Sequence, residues 1–162
     1  MGRWIRTAHL KEKPLVAVGT YVAPFTQIGY CGISGRVTGP HVHLDGTKAK
    51  PKSWWQYHNR PFSEYFDTGE FARFVLPYPK RFITLKHGQF WGSSRHIGVD
   101  VNVAPEDLGL PVFSPVYGWV RYVEPPITAY RVVNGIKSFF NKTWGGGFGN
   151  FLWIEIDESR YE

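Results

Sequence analysis

The strongest constraint on the fold is a strict alternation of apolar and polar residues in one short run, RHIGVDVNV at 95–103. Four β-branched residues, at positions 97, 99, 101 and 103, alternate with His96, Gly98, Asp100 and Asn102. A period of two places the two sets on opposite faces of a β-strand. The run therefore predicts a half-buried strand with His96 and Asp100 on its polar face.

A second pair of even-spaced polar residues lies near the start of the chain, in GPHVHLDG. On a short strand, Val42 and Leu44 point one way, and His41, His43 and Asp45 point the other. Residues two or four apart share a face of a strand. Each of the two motifs therefore directs two side chains of metal-ligand type toward one point.

Catalytic zinc needs about three nitrogen or oxygen ligands and one open position for water. The His-x-His and His-x-x-x-Asp spacings together favour such a metal site. The alternative interpretation treats His41 and His43 as surface histidines beside a turn. In that interpretation His96 caps a loop and Asp100 accepts backbone hydrogen bonds. His9, in RTAHL, stands alone in the sequence, and a lone histidine there is usually exposed.

Long helices are not expected, because 18 glycines and 12 prolines interrupt the 162 residues. Further strand-like runs occur at 108–123 and 148–157, whereas 46–70 and 124–147 lack a clean period and are predicted to be long surface connections. The sequence predicts a single domain, 1–162. Its predicted fold is mainly β, with an antiparallel sheet, long loops and little helix.

Charge and cysteine content restrict the partners and the cellular setting. The net charge of +6 favours an anionic partner, which charge alone does not identify among nucleic acid, a membrane surface and a bacterial wall polymer. The single cysteine, Cys31, excludes an internal disulfide framework and is expected to be a packed thiol. No signal-peptide or membrane-spanning stretch occurs, so the chain is expected to be soluble and to have no export signal of its own.

Several motifs together resemble those of the lysostaphin/LytM-type zinc metallopeptidases. RHIGVD followed by GLPVFSPVYGWV is similar to that family's His-x-x-x-Asp motif and G-x-P-V-x-A-x-x-x-G-x-V run. GISGRVTGPHVHLD resembles its G-x-S-G-x-x-T-G-P-H-L-H motif, and TAHL its Y-x-H-L segment. LPYPKRFITLKHGQFWG resembles the family's segment ahead of the first ligand, and GGGFGNFLWIEID its G-x-G-N-x-V-x-I strand.

The resemblance implies a chemistry and a set of roles. One zinc ion, Zn2+, would be held by His43, His96 and Asp100. His9 and His41 would be the two catalytic histidines that are not ligands, with the choice of general base left open. The implied reaction is hydrolysis of a peptide bond by water that the metal activates, in a narrow groove walled by long loops.

The order of the motifs departs from that of the family. Residues 1–45 carry the family's C-terminal motifs and 71–162 its N-terminal motifs, with 46–70 as the connection, so the chain resembles a circularly permuted member. Permutation predicts that the first and last strands are neighbours, and that the His-x-His strand packs against the His-x-x-x-Asp strand. Two chains that exchange strands would have the same order, so both a monomer and a swapped dimer are compatible with it.

The resemblance implies a peptidoglycan peptide as substrate, with neither nucleic acid nor membrane as partner. Such an enzyme would act outside the cell or in the periplasm, and a chain without a leader fits a phage lysin or a virion-borne peptidase. A different class stays open: a non-catalytic wall-binding or phage tail-structural module that keeps the fold. A nucleic-acid binder is a third hypothesis, which rests only on the basic and aromatic composition.

Overall fold

The computed structural model describes residues 2–55, 61–77, 79, 82–101, 104–125, 131–133, 136–138 and 147–162. Within them the chain is mainly β, with one short α-helix, α1 (Gly69–Ala72), and short 3-10 turns. This confirms the predicted class. The strands are β1 Trp4–Leu10, β2 Tyr21–Val22, β3 Gln27–Tyr30, β4 Val42–Thr47, β5 Tyr65–Phe66, β6 Ile83–Leu85, β7 Phe90–Trp91, β8 Ser94–Arg95, β9 Gly98–Val101, β10 Pro111–Phe113, β11 Gly118–Val123, β12 Arg131–Val133, β13 Ile136–Ser138 and β14 Asn150–Ile156.

An eight-stranded antiparallel sheet forms the centre of the molecule. Its order is β2-β11-β14-β1-β4-β9-β6, with β5 beside the end of β4. The first and last strands are neighbours: Trp4 faces Glu155 and Leu10 faces Asn150. The backbone N–H of Arg3 donates to Glu158 just beyond them, at 2.9 Å. The predicted pairing of the two end strands is therefore confirmed.

The two motif strands, β4 and β9, also pair as predicted. Val42 lies opposite Val101, and His43 lies opposite Asp100. Gly98 makes this close pairing possible, because a β-carbon at that position would collide with the backbone carbonyl of Leu44. The sheet thus places a histidine of one motif beside the aspartate of the other.

Both faces of the sheet are covered, which explains why β1, β4 and β14 are buried almost throughout. The larger core lies on one face and includes Ile5, Leu10, Ile28, Val42, Leu44, Phe71, Val75, Leu76, Val99, Val101, Val120, Leu152 and Ile154. The smaller group, here called the aromatic cluster, consists of Trp4, Ala8, Phe148, Phe151 and Trp153, with Trp54, Ile97 and Tyr122 packed against it. Strand alternation assigns the aromatic cluster to the opposite face, which it shares with His43.

The segment 46–70 is more ordered than the surface connection predicted from its sequence. β4 continues to Thr47, and Tyr65 and Phe66 form β5 against it. Trp54 stacks on Tyr122, with ring centroids 4.9 Å apart. The lysines and prolines of this segment break its periodicity, so the sequence did not indicate that its aromatic side chains dock on the sheet. Residues 56–60 lie outside the described residues.

Two further segments differ from their predictions. The strand expected over 95–103 is β9, which begins only at Gly98, and Ile97 packs on the aromatic cluster instead of continuing the alternation into the larger core. Residues 102–103 lie outside the described residues. The expected loop 124–147 contains the antiparallel pair β12 and β13. No helix in the described part of the chain is long and apolar enough to cross a bilayer.

Candidate metal centre

Two paired strands and the residues before one of them bring together the three predicted ligands. His43 on β4 lies opposite Asp100 on β9, and His96 precedes β9. His43 Nδ1 is 2.9 Å from Asp100 Oδ1. His96 Nε2 is 3.2 Å from His43 Nδ1 and 3.3 Å from Asp100 Oδ1. The three atoms form a nearly equilateral triangle.

The triangle has the dimensions of a tetrahedral zinc site. Bonds of about 2.0–2.1 Å at a tetrahedral angle separate ligand atoms by roughly 3.3 Å. The other ring nitrogens, His43 Nε2 and His96 Nδ1, are buried and have no hydrogen-bond partner among the described residues. The group could therefore hold a metal ion. Two imidazoles and a carboxylate suit zinc, although the identity of the metal stays a prediction.

The electrostatics of the triangle keep its carboxylate ionised. Burial of Asp100 opposes its charged form, but hydrogen bonds from His43 and His96 outweigh burial and hold the pKa of the carboxyl well below its ordinary value. An ionised carboxylate is the form that binds a metal ion. Asp100 therefore offers an anionic oxygen to a metal ion across the physiological pH range.

His9 reaches the triangle because β1 contains a β-bulge. The pairing of β1 with β14 shifts register between Thr7 and Leu10, and His9 has a φ of 62°. Regular alternation would turn His9 away from the face that carries Ala8. The bulge instead leaves Leu10 in the larger core and brings His9 against the ring of His41, with centroids 4.8 Å apart.

His41 lies just before β4, where its backbone bridges to Gly32. Its Nε2 is 3.6 Å from Asp100 Oδ1, and the rings of His9 and His43 are 5.9 Å apart. All five residues predicted to form the site thus meet on one chain.

The two histidines outside the triangle share one hydrogen-bonding pattern. His9 Nδ1 lies 2.8 Å from the Ser34 carbonyl, and His41 Nδ1 lies 2.9 Å from the Gly39 carbonyl. A carbonyl only accepts, so each Nδ1 carries the proton and donates it. Burial lowers the pKa of both rings, that of His9 well below its ordinary value, with neighbouring His41 adding to the effect. Both rings are therefore neutral near pH 7 and have an unprotonated Nε2.

A buried ion pair beneath His43 was missed by the sequence analysis. Arg6 on β1 and Asp45 on β4 face each other in the strand register, and both side chains are fully buried. Arg6 Nε donates to Asp45 Oδ1 at 2.8 Å, and Nη2 donates to Oδ2. Asp45 had been assigned to the same face as His43. The overlooked signal was Arg6, two positions before Ala8 in the run WIRTAHL, where no other Lys, Arg, Asp or Glu occurs.

Other candidate residues lie away from the triangle or outside the described residues. His87 Nδ1 bonds to the Ile97 carbonyl at 2.8 Å, and its ring stacks on Phe62. Cys31 is buried, and burial raises the pKa of its thiol to about 12, as expected for a packed thiol and not a nucleophile. In the long loops expected to wall the groove, Trp54 packs against the aromatic cluster. Three further aromatic residues of these loops, Tyr57, Tyr130 and Trp144, lie outside the described residues.

Comparisons with known proteins give no match: no family model fits the chain, and no curated protein or solved structure is detectably similar to it. The geometry of the triangle and the spacing of the motifs are therefore the grounds on which a function can be proposed. The triangle consists of His43, His96 and Asp100, and the motifs add His9 and His41.

Proposed function

We propose that the chain is a zinc-dependent endopeptidase that hydrolyses peptide bonds in the stem or cross-bridge peptides of bacterial peptidoglycan. His43, His96 and Asp100 are the proposed zinc ligands. His9 and His41 are the proposed catalytic histidines. The proposal includes a lysostaphin/LytM-like fold with a circularly permuted order of strands.

One observation carries the proposal. Three atoms at metal-ligand separations lie beside the imidazoles of His9 and His41, and both imidazoles have their Nδ1 held by a backbone carbonyl. Histidines held in this way are suited to proton transfer, whereas a purely structural metal site is closed by a fourth protein ligand. No fourth ligand completes the triangle among the described residues.

The chemistry divides between the metal and the chain. A bound zinc ion would polarise the scissile carbonyl and make a water molecule acidic. The unprotonated Nε2 of His9 or His41 can take up a proton at the site, and the protonated ring can then stabilise the negative charge on the carbonyl oxygen. Ser34 and Gly39 keep the two rings oriented through their carbonyls.

Two features support peptidoglycan as the substrate. The motifs that supply the five side chains resemble those of enzymes that cut peptidoglycan peptides, and they lie on paired strands here. The net charge of +6 favours binding to an anionic wall polymer at low salt.

Pairing of the first and last strands supports the permuted order, since that pairing would form one continuous hairpin in the family order.

The first experiment combines zinc binding with wall lysis. We expect the purified protein to bind one zinc ion and to clear a suspension of purified peptidoglycan. His43→Ala should abolish both, because it removes one of three ligands. His9→Ala should keep zinc and lose lysis. His87→Gln serves as the control, since His87 lies outside the triangle and the side-chain N–H of glutamine can still donate to the Ile97 carbonyl.

Digestion of defined muropeptides, followed by mass spectrometry of the new amino terminus, identifies the peptide bond that is cleaved. Zinc binding without cleavage of several cross-link chemistries would contradict the enzymatic function and favour a wall-binding or tail-structural module. Wall lysis that survives in His43→Ala would contradict the assignment of the metal centre.

A further inference from the structure

The triangle includes Nδ1 of His43 but not its other ring nitrogen, Nε2. Nδ1 of His43 faces His96 and Asp100, whereas Nε2 points away from them, is buried and has no hydrogen-bond partner among the described residues. When Nδ1 binds a metal ion, the ring proton must be on Nε2. A buried N–H without an acceptor is costly.

One carboxylate lies on the Nε2 side of the ring. Asp45 Oδ1 is 3.7 Å from His43 Nε2, slightly beyond hydrogen-bond distance. Both residues are on β4, two positions apart, so their side chains share a face of the sheet. A small shift of the imidazole would close the gap.

The Asp45 carboxylate is held rigidly in this position. Arg6 Nε and Nη2 donate to Oδ1 and Oδ2 of Asp45, and this bidentate geometry fixes the plane of the carboxylate. Arg6 is itself held, because its guanidinium lies 3.3 Å from the centre of the Phe148 ring and 4.7 Å from that of Trp153. Its Nη1 donates to the Trp54 carbonyl at 3.3 Å.

A buried ion pair is a poor source of stability, since the cost of desolvating two charges offsets most of their attraction. A positioning role gives a physical reason for placing one beneath His43. We propose that Arg6 and Asp45 are positioning residues of the metal centre: Arg6 holds the Asp45 carboxylate where it accepts a hydrogen bond from His43 Nε2–H, which directs His43 Nδ1 to the metal. The inference rests on the proposed metal centre.

The test measures zinc affinity by competition with a chromophoric chelator. Asp45→Asn alone would remove the carboxylate that balances the buried charge of Arg6, so the decisive variant is Arg6→Met combined with Asp45→Leu, which removes both charges while keeping apolar bulk. We expect this double variant to stay folded by circular dichroism and to bind zinc about 10–100-fold more weakly than the unaltered protein.

Two further measurements separate positioning from general destabilisation. Thr68→Val is the control, because it deletes a buried hydrogen bond to the Leu44 carbonyl without touching His43; it should lower the unfolding temperature and keep the zinc affinity. In the zinc-loaded protein, nitrogen-resolved NMR should detect a slowly exchanging His43 Nε2–H. That signal should be lost in the double variant.

The outcomes distinguish this inference from the proposed function. If the unaltered protein binds zinc and the double variant binds it within twofold, the positioning role is wrong and the metal centre stands. The positioning role is also wrong if Thr68→Val weakens zinc binding as much as the double variant does. If the unaltered protein binds no zinc, the metal centre and the positioning role are both overturned.

Discussion

A single backbone angle at His9 decides whether this histidine, like His41, lies beside the triangle. With a φ of 62°, His9 is in the left-handed region, which costs a residue with a β-carbon about 1–2 kcal/mol. The backbone N–H of His9 donates to the Phe148 carbonyl at 2.9 Å, and its ring donates to Ser34. These contacts hold the strained conformation, as is common at functional sites.

The strain predicts an unusual order of stability at position 9. In the metal-free protein, His9→Gly should have a higher free energy of unfolding than His9→Ala, by about 0.5–1 kcal/mol, because relief of strain exceeds the extra chain entropy of glycine. Urea denaturation of both variants measures the difference. Thr7 lies in the regular part of β1 and serves as the control: there Thr7→Ala should be more stable than Thr7→Gly. If alanine is also the more stable variant at position 9, the prediction of a strained bulge is wrong.

At the scale of elements, the separation of β4 and β9 sets the size of the triangle. Gly98 lies opposite Asp45 and directly against the backbone of Leu44. Because His43 and Asp100 lie on these two strands, any widening of the strand pair would separate these two proposed ligands. Strand spacing and metal geometry are therefore coupled.

Gly98→Ala should disturb both stability and zinc binding. The added methyl group collides with the Leu44 carbonyl, so we expect a loss of about 1–3 kcal/mol of unfolding free energy and weaker zinc binding. Thermal denaturation and chelator competition measure the two effects. Gly2→Ala, whose β-carbon would lie 3.4 Å from the Ile156 carbonyl, should change neither. Unchanged zinc affinity in a folded Gly98→Ala protein would show that the strands tolerate separation.

Local periodicity explains which elements could be predicted from the sequence. The alternation around His43 and Asp100 is a property of a few adjacent residues, so it correctly placed both side chains on one face. The side of the sheet that His9 occupies was not predictable in this way, since the bulge depends on Phe148 and Ser34, which are distant in sequence. Docking of Trp54 on the sheet likewise depends on a remote partner, Tyr122.

At the scale of the whole molecule, a partly exposed ion pair joins residues near the two ends of the sequence. Arg3 donates to both carboxylate oxygens of Glu158 at 3.0 Å, and Arg3 Nη1 lies 3.5 Å from Glu70. These hydrogen bonds lower the pKa of Glu158 despite partial burial. The charged form of Glu158 is therefore favoured more in the folded chain than in the unfolded chain.

The pair predicts a pH-dependent contribution to stability. At pH 7 and low salt, Glu158→Gln should lower the free energy of unfolding by up to about 1 kcal/mol, a small value because the pair is partly exposed and screened. Since the folded pKa is the lower one, the contribution is fully present above about pH 4.3 and disappears as the pH falls through the folded value. Denaturation curves at several pH values test this.

Glu12→Gln, at an exposed position, is the control and should follow the unaltered protein at every pH. If the difference between Glu158→Gln and the unaltered protein stays constant from pH 7 to pH 3, the ion pair makes no contribution in solution.

The central position of β1, between β14 and β4, has a consequence for synthesis on the ribosome. β1 precedes β4 and β9 in the chain, but the Phe148 carbonyl that accepts a hydrogen bond from the His9 backbone N–H is translated after both. β4 and β9 can pair earlier, because both precede the last strand by many residues. A nascent chain can therefore bring the proposed metal ligands together before His9 is in place, and translation of Phe148 and β14 completes the group of five residues.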